Sequence, residues 1–140
     1  MEVWLTIQGT QHLDGDSETV EMSTAGEMIS LPEGWQLAYE ESEASGMPGV
    51  HTTLTVTPAC VTMTRSGRVQ TQLVLERGRR HQCAYDTGFG VLQIGLFTNI
   101  IESALSADGG SVYFSYTMDQ NGRAISSHEV RVTVTVHEKG

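Results

Sequence analysis

Residues 50–65 read VHTTLTVTPACVTMTR. Val50, Leu54 and Val56 are in phase before Pro58-Ala59, and Val61 and Met63 are in phase after it. A period of two sends successive side chains to opposite faces, so each half reads as a half-buried strand. A two-residue Pro-Ala loop makes Thr57 face Cys60. Val56 then faces Val61, Leu54 faces Met63, and Thr52 faces Arg65. Each pair shares one face, and together they define an antiparallel hairpin.

The same alternation extends in both directions, with turn signals at intervals of about ten residues, the mark of an all-β sandwich or barrel. Upstream lie Val3, Leu5 and Ile7 before a turn near LDGD, then Ser17–Thr24 and Trp35–Glu43. Downstream lie VQTQLVLE (69–76), HQCAYD (81–86), VLQIGLFT (91–98), SVYFSYTM (111–118) and AISSHEVRVTVTVH (124–137). Residues Asn99–Asp108 admit two readings. Ile100, Ile101, Ala104 and Leu105 have helical spacing, with Asn99 as N-cap and Gly109 as stop; the alternative is a continuing strand with a bent loop. Short connections elsewhere predict a sequential antiparallel meander of about 8–10 strands. Closing it, last strand on first, removes the open edges and gives a barrel with room inside for side chains or one small ligand.

The chain has 140 residues, a length suited to one domain over 1–140. No apolar run is long enough to span a bilayer, and MEVWLTIQGT has neither the basic nor the apolar region of a signal peptide, so a cytoplasmic protein is expected with no membrane partner. Cys60 and Cys83 lack CxxC or zinc-site spacing and read as free thiols. The five histidines show no H-x-H or H-x-x-x-H spacing, so neither metal nor cofactor is expected. The net charge of −9 disfavours nucleic acid. Its distribution is uneven. Residues 1–64 carry ten acids and no Lys or Arg, whereas residues 65–85 carry Arg65, Arg68, Arg77, Arg79 and Arg80 against Glu76 alone.

Residues 39–53, YEESEASGMPGVHTT, contain the feature most suggestive of function. Glu41 and Glu43 fall in phase with Trp35, Leu37 and Tyr39, the apolar positions of their strand. The loop ASGMPG sets Glu43 against Val50, and Glu41 then faces Thr52, Tyr39 faces Leu54 and Leu37 faces Val56. Glu41, Thr52 and Arg65 therefore form one row on the apolar face, with Glu40 outside and Glu43 at the rim. A three-residue loop at 66–68 keeps Val69, Leu73 and Leu75 on the core face. An Arg77-Gly78-Arg79 loop sets Leu75 against His81, Leu73 against Cys83 and Thr71 against Tyr85. Tyr85 thus reaches the same barrel end as Arg65, while Arg77, Arg79 and Arg80 go to the other.

EESE (40–43), GMPGVHTTL (46–54), RSG (65–67), GRRHQCAYDTGFG (78–90), LQIGLFT (92–98) and ADGG (107–110) together resemble the YwiB-like family across essentially the whole chain. The resemblance implies a calycin-like barrel and no activity that carries over. Gly88 stands where the family favours proline, and the lipocalin G-x-W signature is absent.

Two classes of function follow from Glu41, Thr52, Arg65 and Tyr85, with Glu43 and Arg68 beside them. The first is a non-catalytic binding module for a small anionic or amphipathic ligand, or a partner, at this barrel end. The second is a cofactor-independent lyase or isomerase using the same carboxylate, guanidinium and phenol; no nucleophile elbow, P-loop or H-E-x-x-H motif supports another chemistry. A third reading is structural: Glu41 and Arg65 pair and plug the barrel. Met47 and Pro48 read as a turn, or as a small apolar lid.

Overall fold

A computed structural model describes residues 1–42, 48–86 and 89–136. Glu43, Met47 and Gly88, and the roles expected of them, lie outside the described residues. Ten strands follow one another: β1 (Glu2–Leu13), β2 (Asp16–Leu31), β3 (Gly34–Glu40), β4 (Val50–Thr57), β5 (Cys60–Gly67), β6 (Thr71–Glu76), β7 (Arg80–Asp86), β8 (Val91–Ser106), β9 (Gly109–Gln120) and β10 (Arg123–Val136). All pair antiparallel in one sheet of order β6-β5-β4-β3-β2-β1-β10-β9-β8-β7. The last strand pairs with the first, from Val3 opposite Val136 to His12 opposite Ser127. The sheet curls into a nearly closed barrel.

Alternation is what drives the curl. Along β4, Val50, Thr52, Leu54 and Val56 are buried and the residues between them are not. Leu5, Leu37, Leu54, Leu75, Leu96 and Phe114 are fully buried inside. The 50–65 hairpin has the expected register throughout, including Thr52 opposite Arg65.

Three local expectations change. First, Tyr39 faces Thr52 and Leu37 faces Leu54, two residues away from the expected β3–β4 register, and Glu41 N donates to Val50 O at 2.8 Å. A slip of two preserves which side chains point inward, so apolar pattern alone cannot choose between the registers. Contact at the far end does choose: Gly34 packs so tightly on Val56 that a Cβ there would lie 1.9 Å from its carbonyl oxygen. Second, Arg65 pairs with Thr71, so the β5–β6 connection is longer than three residues, although Val69 remains buried.

Third, β6 and β7 form no ladder, and the barrel's seam runs between them. The turn itself is tight, Arg79 N donating to Glu76 O at 3.0 Å. Its corner is held from both sides, Arg77 N by Ala59 O and Gly78 N by Thr98 O. Hence β6 stays with β5 and β7 with β8. Side chains bridge the gap: His81 Nε2 lies 3.0 Å from Glu76 Oε1, and Asp86 N donates to Thr71 Oγ1 at 3.2 Å.

Residues Asn99–Ser106 continue β8 as strand, and no described residue is helical. Register steps by one between Thr98 and Ile100, leaving Asn99 as the extra residue of a bulge. That step explains the helix-like spacing. Thr98 faces inward before it and Ile101 after it, so the apolar positions cease to be two apart.

Candidate functional site

A pocket of about 410 Å³ opens at the end of the barrel where β3 and β5 finish. Its polar belt comes from five strands. Tyr39 and Glu41 stand at the end of β3, Arg65 on β5, Tyr85 on β7, Tyr116 on β9 and His128 on β10. Ile7, Met22 and Met63, members of the apolar core or packed against it, lie below as a floor.

The two-residue register slip decides the electrostatics. Tyr39, not Glu41, shares a row with Thr52 and Arg65, and Glu41 moves one step toward the rim. From there its buried carboxylate accepts a 2.8 Å hydrogen bond from Thr52 Oγ1, and Tyr39 also hydrogen-bonds to it. The Tyr39 phenol is held well above the ordinary tyrosine range, by burial first and then by the Glu41 charge. Among the described residues no carboxylate reaches ion-pair distance of Arg65. Arg65 Nε is buried and has no hydrogen-bond partner.

Arg65 makes itself felt on the far wall. The Tyr116 phenol is pushed up to about 12 by burial, an effect the Arg65 charge partly offsets. Its ring stacks on His128 with centroids 4.8 Å apart. Burial, then Arg65, then His12 hold His128 down at about 4, so its imidazole is neutral at neutral pH. Ser126 Oγ sits 2.8 Å from His128 Nε2. One permanent cation therefore faces two neutral phenols and a neutral imidazole.

Of the residues singled out in the sequence, Glu41, Arg65 and Tyr85 meet in this pocket, with Thr52 behind Glu41. Arg68 does not join them; it is exposed, and its backbone N donates to Gly49 O. Arg79 and Arg80 lie elsewhere, engaged with Glu76 and, in a two-pronged contact, with Asp119. Tyr116 and His128 are additions. Their signal was the period of two itself: Val112, Phe114 and Tyr116 share a phase, as do Val132, Val130 and His128. Among the described residues no group of three or more His, Cys, Asp or Glu is placed to hold a metal ion.

Comparison with known proteins bears on family and fold. The sequence model of a family described as a domain of unknown function (DUF1934) matches residues 5–132. The crystal structure of the ywiB protein from Bacillus subtilis is similar, with a TM-score of 0.85 at 23% identity, covering 98% of this chain and 92% of that one. No curated protein matches.

Proposed function

Because the chain belongs to the DUF1934 family, whose description assigns no activity, we propose its role from the mouth of the barrel: it is a non-catalytic binding module for a small anionic or amphipathic ligand. Arg65 receives the anion, Tyr85 adds a donor, and Glu41 with Thr52 shapes the adjoining wall. The observation that carries this reading is Arg65 Nε, buried without a partner beside an open pocket. An unsatisfied buried donor costs about 1–3 kcal/mol, more when charged, and an incoming anion removes that cost. A plug would instead pair Arg65 with Glu41, and among the described residues no carboxylate, Glu41 included, lies at ion-pair distance of Arg65.

Such a module fits a calycin-type barrel with its site at one end. We place it in the cytoplasm. Cys60 and Cys83 are both free, as in a reducing compartment. Most outward positions along β1 and β2 are polar, Trp4 and Ile29 excepted, with Gln8 donating to Glu21 and Thr10 bonded to Thr19, unlike the apolar band of a lipid-facing barrel. Among the described residues no helix is long and apolar enough to cross a membrane.

The test is a melting screen against small carboxylates, sulfonates and phosphates, repeated on Arg65→Met. A ligand at a hundred times its Kd should stabilise the parent by about 2.7 kcal/mol, and Arg65→Met should fold but lose the shift. If no anion shifts the parent and Arg65→Met is itself badly destabilised, the guanidinium is structural and the reading fails.

A further inference from the structure

The pocket is not uniformly polar, and one residue in it has no structural reason to be what it is. Gly9 lies within β1, opposite Val20 on β2 and Val130 on β10, and lines the pocket. A Cβ built there would meet nothing within 4 Å, and no left-handed φ demands glycine. Glycine inside a strand weakens it, and it marks a bulge, a bend at a barrel corner or the close approach of another group. Both ladders pass Gly9 without a register shift, and the open space beside it suits an approaching group. The space beside Gly9 adjoins Ile7, Val20 and Met22, so whatever fills it is apolar.

Charge restricts the other end of the occupant. Arg65 brings one positive charge, and Glu41 and, towards the rim, Glu18 and Glu129 line the same pocket. Glu129 is partly occupied, being held by His12 and Tyr113. A dianion such as a phosphate monoester would bring two negative charges among these carboxylates against a single guanidinium. A carboxylate brings one, and its two oxygens match the planar fork that includes the unpartnered Nε–H.

We propose that the pocket takes a monocarboxylic acid with an apolar body, the body lying on the floor beside Gly9 and the carboxylate on the Nε edge of Arg65. This rests on the anion-binding reading above and adds the class and orientation of the ligand. Gly9 becomes the residue that sets how large a body is accepted. The exposed Val91 and Leu92 at the start of β8 offer the competing seat, with the body lying outward across the rim.

The experiment is calorimetric titration of the full chain with octanoate, 3-phenylpropionate, acetate, 1-octanol, octyl phosphate and inorganic phosphate. Octanoate or 3-phenylpropionate should bind at least tenfold tighter than the other four. Arg65→Met and Gly9→Leu should each weaken that binding at least tenfold, and Leu92→Ser should leave it within twofold. Gly9→Ala and Gly9→Val complete a graded series that remains readable if the leucine variant folds poorly. Equal, Arg65-dependent binding of acetate or phosphate, indifferent to Gly9, overturns the apolar body while leaving the anion site standing. Loss on Leu92→Ser but not across the Gly9 series overturns the orientation. Octanol binding as tightly as octanoate overturns the role of the carboxylate. No Arg65-dependent binding of any anion overturns both readings.

Discussion

His128 titrates abnormally because the barrel closes around it: Tyr116 stacks on one face, Ser126 sits at Nε2, and Arg65 and His12 add positive charge nearby. In the unfolded chain the imidazole takes up its proton near pH 6.5, whereas the folded protein refuses it until about 4. Its contribution is therefore intact above pH 6.5 and is lost as pH falls through the window down to 4. Allowing for partial solvent contact, the loss amounts to about 2–3 kcal/mol. Urea denaturation at a series of pH values should show this fall in the parent and a shallower one in His128→Gln; parallel curves would sink the assignment. Thr52 is the complementary case, a fully buried hydroxyl whose work is to donate to Glu41. Thr52→Val should lower stability by about 1–3 kcal/mol by leaving that carboxylate short of a donor, and the loss should shrink in a Glu41→Gln background. Equal losses in both backgrounds would mean that cavity and packing effects, not the hydrogen bond, set the cost. The inward aim of Glu41 was legible, because it depends only on the parity of two hairpins; its expected place in the Thr52–Arg65 row was not borne out, since Tyr39 stands there. That Arg65 is unpartnered was not legible. It depends on a two-residue register set by Gly34 against Val56, and a change of two leaves every apolar position in phase.

At the scale of elements, the seam is where pattern reading stopped. The β6 and β7 sequences alternate as well as any others, and Arg77-Gly78-Arg79 is a good turn, so a ladder was expected. Alternation reports which face is buried and is silent on which edge is bonded. Here the edges meet through His81 with Glu76, Asp86 with Thr71, and Gln70 N with Asp86 Oδ2 at 3.1 Å. Backbone amides turned into that gap lack the ladder that protects the rest of the barrel. Hydrogen exchange should accordingly find the seam-facing amides of β6 and β7 exchanging at least tenfold faster than those of β1 and β10. Uniform protection around the barrel would show a continuous ladder and contradict the seam. The β8 bulge carries a related lesson. One extra residue, Asn99, turns strand spacing into something close to helical spacing, so the sequence leaves helix and strand nearly balanced until pairing with β9 settles them.

For the whole molecule, closure between β1 and β10 was legible, because a meander of alternating strands has two exposed edges and the first and last runs are both apolar on one face. Its consequence is that the barrel's strongest discontinuity lies in the middle of the chain, between β6 and β7, while the first and last strands, β1 and β10, are paired neighbours. The same arrangement brings β5, β6 and β7 to the two sides of the seam, with Arg65 lining the pocket and Arg79 and Arg80 paired with Glu76 and Asp119. A chain cut at Gly78, with its original ends joined by a short flexible linker, would run β7, β8, β9, β10, β1 and on to β6. That order is the order of the sheet, so every ladder would become a sequential neighbour pairing and none would be broken. Loop closure depends only weakly on length, and exposed turns tolerate new termini. The permuted protein should therefore fold with an unchanged far-ultraviolet spectrum and a stability within about 2 kcal/mol of the parent, lower mainly through loss of the Arg77, Gly78 and Arg79 backbone bonds. Failure to fold would mean that the Glu76–Arg79 corner, and with it the seam, is needed to bring the two halves of the barrel together.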